Sequence, residues 1–209
     1  MLPGGEGGMT MERRIVTWDA MEWVNEPASA RVLEAGRLAV RTLPDTDFWR
    51  ETSYGFTHDN GHFLGFPFTA GQAVEVTFSG TFAHQFDHAG LLLRAAPDLW
   101  VKTGVERSDG VMYASAVVTA GRSDWSVARI PADRQDGPFT IRLSLAEGAA
   151  TIRFGAGASP VLDLLRVLPL TVAATYRAGV FACSPTGPGL EVTFEPVAMT
   201  DPDGQLHPA

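Results

Sequence analysis

The chain has 209 residues, a net charge of −8 and an isoelectric point near 5.0, with 45 % hydrophobic and 19 % charged residues. That composition is ordinary for a globular protein, and all-β sandwiches of about 200–250 residues fold as one unit. The acidic balance, with no Lys/Arg cluster, argues against nucleic acid; no apolar run nears the roughly 20 residues of a membrane span; and one cysteine, Cys183, excludes an internal disulfide.

The first residues, MLPGGEGGMTMERR, lack the basic region and apolar core of a secretory signal. Residues 1–12 therefore read as a flexible leader, 13–197 as a single domain and 198–209 as a frayed tail rich in Pro, Asp and Gly. No secretory signal and a lone thiol point to the reducing cytoplasm.

Strands are signalled by short runs that alternate apolar and polar residues. The first clear run is Arg37 to Thr42, with Leu38 and Val40 on one face. Val74, Val76, Phe78 and Phe82 follow, against Glu75, Thr77 and Ser79. From Trp100 to Glu106, Val101, Thr103 and Val105 point inward while Trp100, Lys102, Gly104 and Glu106 point outward. Phe139, Ile141, Leu143 and Leu145 alternate most cleanly, and Leu190, Val192 and Phe194 close the series. Asp59-Asn60-Gly61, Asp109-Gly110, Asp136-Gly137-Pro138 and Glu147-Gly148 suit the tight reversals between runs. Only Ser159 to Leu170 breaks the rhythm, as a helical turn or two or as an irregular apolar strand. The spacing of turns predicts an all-β sandwich or barrel.

The chemistry concentrates between Phe48 and Trp125. The runs FWRETSYGFTHDNGHF, FDHAGLLLR, WVKTGVERSDG and SDWS, in that order, resemble the family of uncharacterised proteins typified by the regulation-of-enolase protein. The resemblance extends from about Trp23 to Phe194. It implies a concanavalin A-like β-sandwich (jelly roll) of two antiparallel sheets with one concave face and a pocket. It implies no enzymatic activity and no catalytic residues.

The residues themselves point to the same place. Neighbours two apart on a strand share a face. His88, Leu92 and Arg94 form one such set, Trp100, Lys102 and Glu106 another, Tyr113, Ser115, Val117 and Thr119 a third, and Trp125, Val127 and Arg129 a fourth. Arg50, Tyr54, Phe56 and His58 make a fifth. The expected site is a cleft lined by Arg50, Tyr54, Arg94, Lys102, Glu106 and Trp125, with Asp87 at its rim. Arg94 and Lys102 would donate to ligand oxygens, Glu106 would accept from hydroxyls and Trp125 would stack. The plainer alternative makes Lys102 and Glu106 a solvated face, Trp100 and Trp125 core, and Arg94 half of a structural ion pair.

Other motifs are incomplete. His58/His62 and His84/His88 have helical metal spacing but lie in turn-rich or strand-like sequence, so no metal and no cofactor is expected. Gly155-Ala156-Gly157 and Thr186-Gly187-Pro188-Gly189 do not open a helix as a phosphate loop must, and Ser123-Asp124 has no partner histidine. Cys183 reads as a small buried hydrophobe. The function expected first is binding of a carbohydrate or sugar-like ligand on the concave sheet. A glycoside hydrolase or lyase using Glu106 is the rival, although the Glu-x-Asp-x-x-Glu strand of the glucanases with this fold is absent. A regulatory protein-interaction domain, with an exposed apolar patch around Trp49, is the third possibility.

Overall fold

A computed structural model describes residues 13–146, 148–158, 160–170 and 175–207. The expected leader, Glu147 of one turn and Ser159 of the irregular segment lie outside the described residues. Two large antiparallel sheets form a concanavalin A-like sandwich. The seven-stranded sheet runs, in spatial order, β12 (Arg122–Arg129), β11 (Val111–Ala120), β10 (Leu99–Ser108), β9 (His88–Ala96), β16 (Tyr176–Cys183), β7 (His62–Phe68) and β2 (Glu22–Val24). The nine-stranded sheet runs β15 (Asp163–Pro169), β14 (Ala149–Ala156), β13 (Phe139–Ala146), β8 (Gln72–Gly80), β17 (Glu191–Phe194), β4 (Leu38–Arg41) and β3 (Ser29–Val32). Along the edge of β8, β17 is followed by β18 (Val197–Thr200), which also pairs with β1 (Arg14–Val16). Helix is confined to three short 3₁₀ turns among the described residues, and none is long and apolar enough to cross a membrane.

The alternating runs bury their apolar faces between the sheets, as a sandwich requires. Phe78, Ile141, Leu143 and Phe194 pack there from one sheet, and Leu91, Leu93, Val101 and Val105 from the other. A second apolar cluster lies on the opposite face of the seven-stranded sheet. There a hairpin of β5 (Phe48–Arg50) and β6 (Thr57–Asp59) lays Phe48 and Trp49 over Leu92, Trp100, Val117 and Phe181. Residues that alternation points away from the main core are thereby buried as well.

Two expectations change. Of the alternatives for the irregular segment, the strand forms: Asp163–Pro169 is β15, which pairs with β14 across a bulge at Ile152/Arg153. The frayed tail does not begin at 198, because residues 197–200 are β18. Beyond it, Arg142 and Arg153 each hold the Asp203 carboxylate at 2.7 Å. Burial works to raise the pKa of Asp203, but the two guanidinium groups outweigh it and hold the carboxyl below its usual value.

Candidate functional site

A cavity of about 290 Å³ opens between the β5–β6 hairpin and the outer face of the seven-stranded sheet. Strand register builds its floor. Glu106 on β10 lies opposite His88 on β9 and Tyr113 on β11, and His88 lies opposite Cys183 on β16. Four residues along β10, Lys102 sits between Leu92 and Val117, with Trp125 beside Val117 on β12. Gly104 and Gly90 face each other between these rows. A Cβ on Gly104 would run into the Ala89 carbonyl, and one on Gly90 into that of Thr103, so the close approach of β9 and β10 requires glycine.

The hairpin supplies the wall. Trp49 stands perpendicular to Trp125 at 6.4 Å between centroids and edge-on to Tyr54 at 5.4 Å. Tyr54 stacks on Phe56 at 5.5 Å, and Phe56 meets His58 edge-on at 4.8 Å. Glu51 and Ser53 take positive φ (59° and 61°) in the turn that carries Tyr54, a conformation uncommon outside glycine.

A buried polar network anchors this wall to the floor. Lys102, 4 % exposed, donates to Asp47 Oδ1 at 2.9 Å, and its Nζ also lies 2.9 Å from His88 Nε2. His88 Nδ1 donates to the Phe86 carbonyl at 2.6 Å, and the Phe48 N–H donates to Asp47 Oδ1 at 2.7 Å. A hydrogen bond has one donor and one acceptor, so a single proton lies between Nζ and Nε2. Burial and the Lys102 charge push it from His88; the Cys183 sulfur and the Asp47 carboxylate pull it there and raise the His88 pKa to about 10. The two nitrogens set positive charge against the Asp47 carboxylate, Lys102 at 2.9 Å and His88 at 3.4 Å. Burial opposes ionisation of Asp47, but Lys102 and His88 outweigh it and hold its pKa well below the carboxylate range.

Glu106 differs from these groups. It is 6 % exposed, lines the cavity and has no hydrogen-bond or ion-pair partner among the described residues. The Trp125 indole N–H is likewise buried without an acceptor. Buried polar atoms are nearly always paired, so the Trp125 N–H is an exception, and the partnerless Glu106 carboxylate opens onto the cavity that Trp125 also lines; the two together mark a place for a ligand.

The sequence itself now decides the family. A family model described as "Protein of unknown function (DUF1349)" matches residues 23–202. The chain belongs to the DUF1349 family. It is 38 % identical over 186 residues to "Regulation of enolase protein 1" of Saccharomyces cerevisiae, covering 88 % of this chain and 92 % of the yeast protein. The crystal structure of a functionally unknown S. cerevisiae protein superposes with a TM-score of 0.82 at 36 % identity, over 90 % of this chain and all of that one. A Bacteroides ovatus xyloglucan GH43B enzyme (TM-score 0.69, 17 % identity) and a Bacillus halodurans xylan β-1,4-xylosidase (0.67, 13 %) share the fold. This DUF1349 chain is covered over 96 % of its length in both but spans only 41 % of either enzyme.

Of the seven site residues expected from sequence, Tyr54, Lys102, Glu106 and Trp125 line the cavity of the DUF1349 domain. Arg94 does not: its guanidinium grips Asp59 of β6 at 2.7 and 2.8 Å, which is the structural ion pair of the plainer alternative. Arg50 is spent on the edge of the hairpin, its Nε on the Gly121 carbonyl and its N–H on Ser123 Oγ. Asp87 is fully buried rather than at a rim, because its carboxylate accepts from the Ala83 and His84 N–H groups and from Ser184 Oγ. Lys102 lines the floor, but two of its three donor directions are taken. Trp49, around which an exposed apolar patch would have favoured an interaction domain, is 7 % exposed and donates to the Thr52 carbonyl at 3.1 Å. Asp47 and His88 were missed as functional residues. Alternation did place His88 on the correct face, whereas nothing local links Asp47 to Lys102.

Ligand atoms of Asp47, His88 and Cys183 lie within 4.8 Å of one another, a donor set of zinc type. The Lys102 ammonium already sits against two of the three and supplies the positive charge a metal would bring. The His58/His62 and His84/His88 pairs take no part as pairs. His62 Nε2 accepts from the Leu43 N–H while Nδ1 donates to the Asn25 carbonyl, and His84 Nδ1 faces Asp87 at 3.5 Å. Cys183 is fully buried beneath this network. A thiol reagent is expected to label it slowly in the native protein and rapidly after unfolding, with stability unaffected by reductant. Rapid native labelling would show that the pocket floor opens.

Proposed function

We propose that this chain is a cytoplasmic binding domain that holds one sugar or sugar-like molecule between the β5–β6 hairpin and the seven-stranded sheet, without transforming it. The observation that carries this reading is the Glu106 carboxylate, buried in an aromatic-walled cavity with no partner of its own. A hydroxyl both donates and accepts. Glu106 would accept a hydrogen bond from one ligand hydroxyl, while the remaining Lys102 N–H, four residues along β10, would donate to another at the far end of the ligand. The ring's apolar face suits the corner between Trp49 and Trp125. The cavity sits at the small end of ligand pockets, which run from about 300 to 1,000 Å³, and has room for one sugar-sized ring.

Hydrolysis fits less well. Glycosidases use two carboxyl groups in separate roles. Here Asp47 is engaged by Lys102 and the Phe48 N–H, which leaves Glu106 without a working partner on the floor.

A sugar library screened by thermal shift tests the reading. A ligand at a hundred times its Kd is expected to add about 2.7 kcal/mol of stability. Glu106→Ala is expected to abolish that gain while the unliganded midpoint stays level or rises, because it removes a buried, unpaired carboxylate. A silent library, or a full shift in both Glu106→Ala and Trp125→Ala, would sink the proposal.

A further inference from the structure

The carboxylates around the cavity are not all paired. Asp47 is held by Lys102 at 2.9 Å and faces His88 at 3.4 Å. Nearby guanidinium groups are spent elsewhere: Arg94 on Asp59 and Arg122 on Glu51. Arg129 lies two strands from Glu106, beyond Tyr113, and does not line the cavity. Glu106 on the floor therefore has no ion-pair partner among the described residues, and Asp45 adds a second carboxylate at the exposed rim.

The walls have the same preference. Aromatic rings present electron-rich faces, and a cation over such a face is attracted most strongly when both are out of water. Trp49 and Trp125 meet at 90° and enclose a corner, and Tyr54 closes against Trp49. The corner is rigid: Trp49 is held by its bond to the Thr52 carbonyl, so little ordering remains to be done when a ligand enters. A carboxylate on the floor of an aromatic-walled cavity fits an ammonium group better than a hydroxyl, because the hydrogen bond to Glu106 is then charged on both sides. A ligand carboxylate would meet Glu106 and Asp45 as like charges.

Building on the sugar reading above, we infer that the ligand of this pocket carries a positively charged nitrogen, so that the site selects an amino sugar with a free amine over its neutral and carboxylated counterparts. The amine lies against Glu106 and the sugar ring stands in the corner of Trp49 and Trp125.

Titration calorimetry on the intact chain, with glucosamine, glucose, N-acetylglucosamine, glucuronate and tetramethylammonium as separate probes, tests this. Glucosamine is expected to bind on the order of tenfold or more tighter than glucose or N-acetylglucosamine, with glucuronate weakest, since charge-assisted bonds exceed neutral ones by that margin. Glu106→Gln keeps an acceptor oxygen but loses the charge. In that variant both sugars are expected to weaken, glucosamine the more, so that the ratio of their affinities falls to about one. Equal binding of glucosamine and glucose to the unmodified protein would overturn the inference and leave the sugar reading standing. A preference for glucosamine that survives in Glu106→Gln would also overturn it. Binding of tetramethylammonium with no response to any sugar would uphold cation recognition and remove the sugar. Silence from all five probes would overturn both.

Discussion

Lys102→Met is expected to destabilise the fold by about 1–3 kcal/mol: it removes the buried Lys102 contacts with Asp47 and His88, while His88, whose Nε2 lies 3.4 Å from Asp47 Oδ1, keeps a positive charge beside the carboxylate. Methionine fills nearly the same volume, so the loss reports polar contacts rather than a cavity. The Lys102 ammonium joins β10 to Asp47, the residue before β5, and lies 2.9 Å from both Asp47 and His88. The Asp47 pKa is held down in the folded protein, so its contribution is present above the ordinary carboxylate pKa of about 4 and is lost as the pH falls below it. In Lys102→Met burial acts on Asp47 with less opposition, and His88 alone holds its pKa down. The gap between the two proteins should therefore be full at pH 7 and narrow towards about pH 3, below the ordinary carboxylate pKa. Urea unfolding at both pH values measures it. Adding Asp47→Asn removes both charges and is expected to restore part of the stability. A single-variant cost below about 1 kcal/mol, or a double variant no more stable than the single, would show that the ion pair does not hold the hairpin.

What the sequence made legible was local. The run from Phe139 to Leu145 becomes β13 with its four apolar residues fully buried, as alternation requires. The same rule put Trp100, Lys102 and Glu106 on one face of β10, where they are. It could not say what covers that face. A residue pointing away from the sandwich core is read as solvated unless something packs over it. Here the cover comes from a hairpin that starts 55 residues before Lys102. The contacts that set the cover, Asp47 with Lys102 and Asp59 with Arg94, join residues with no shared periodicity. Arg94 was misread for that reason: a guanidinium at a strand end looks the same whether it awaits a ligand or a distant carboxylate. Asp87 failed differently, because its partners include the N–H groups three and four residues earlier. Asp is a known turn former, but no pattern in His84-Gln85-Phe86-Asp87 distinguishes a loop clamp from a rim ligand. The tail shows the same limit. Its Pro, Asp and Gly predict fraying, and only the arginines of β13 and β14 turn Asp203 into a fastener.

Phe78→Ala is expected to cost about 3–5 kcal/mol, the range for removing a buried aromatic ring from a packed interior. Phe78 is 1 % exposed on β8, the strand on which the nine-stranded sheet is organised. In register it faces Phe139 of β13 on one side and Phe194 of β17 on the other. The three rings are tilted, with centroid separations of 5.9 and 5.7 Å, within the range where aromatic pairs add to area burial. Truncation to alanine therefore loses transfer energy and two ring contacts, and leaves a void between strands whose backbone bonds restrain collapse. Phe139 is itself packed against Phe82 and Phe154, which limits how far it can move into the gap. Phe78→Leu keeps most of the apolar bulk and should recover a large part of the loss. Because the ring lies between the sheets and the ligand cavity lies outside them, Phe78→Leu should retain ligand response even though its midpoint falls. Urea midpoints and thermal shift on the same preparation separate the two effects. A cost under about 1 kcal/mol for Phe78→Ala would place the ring at the surface and contradict the sandwich packing.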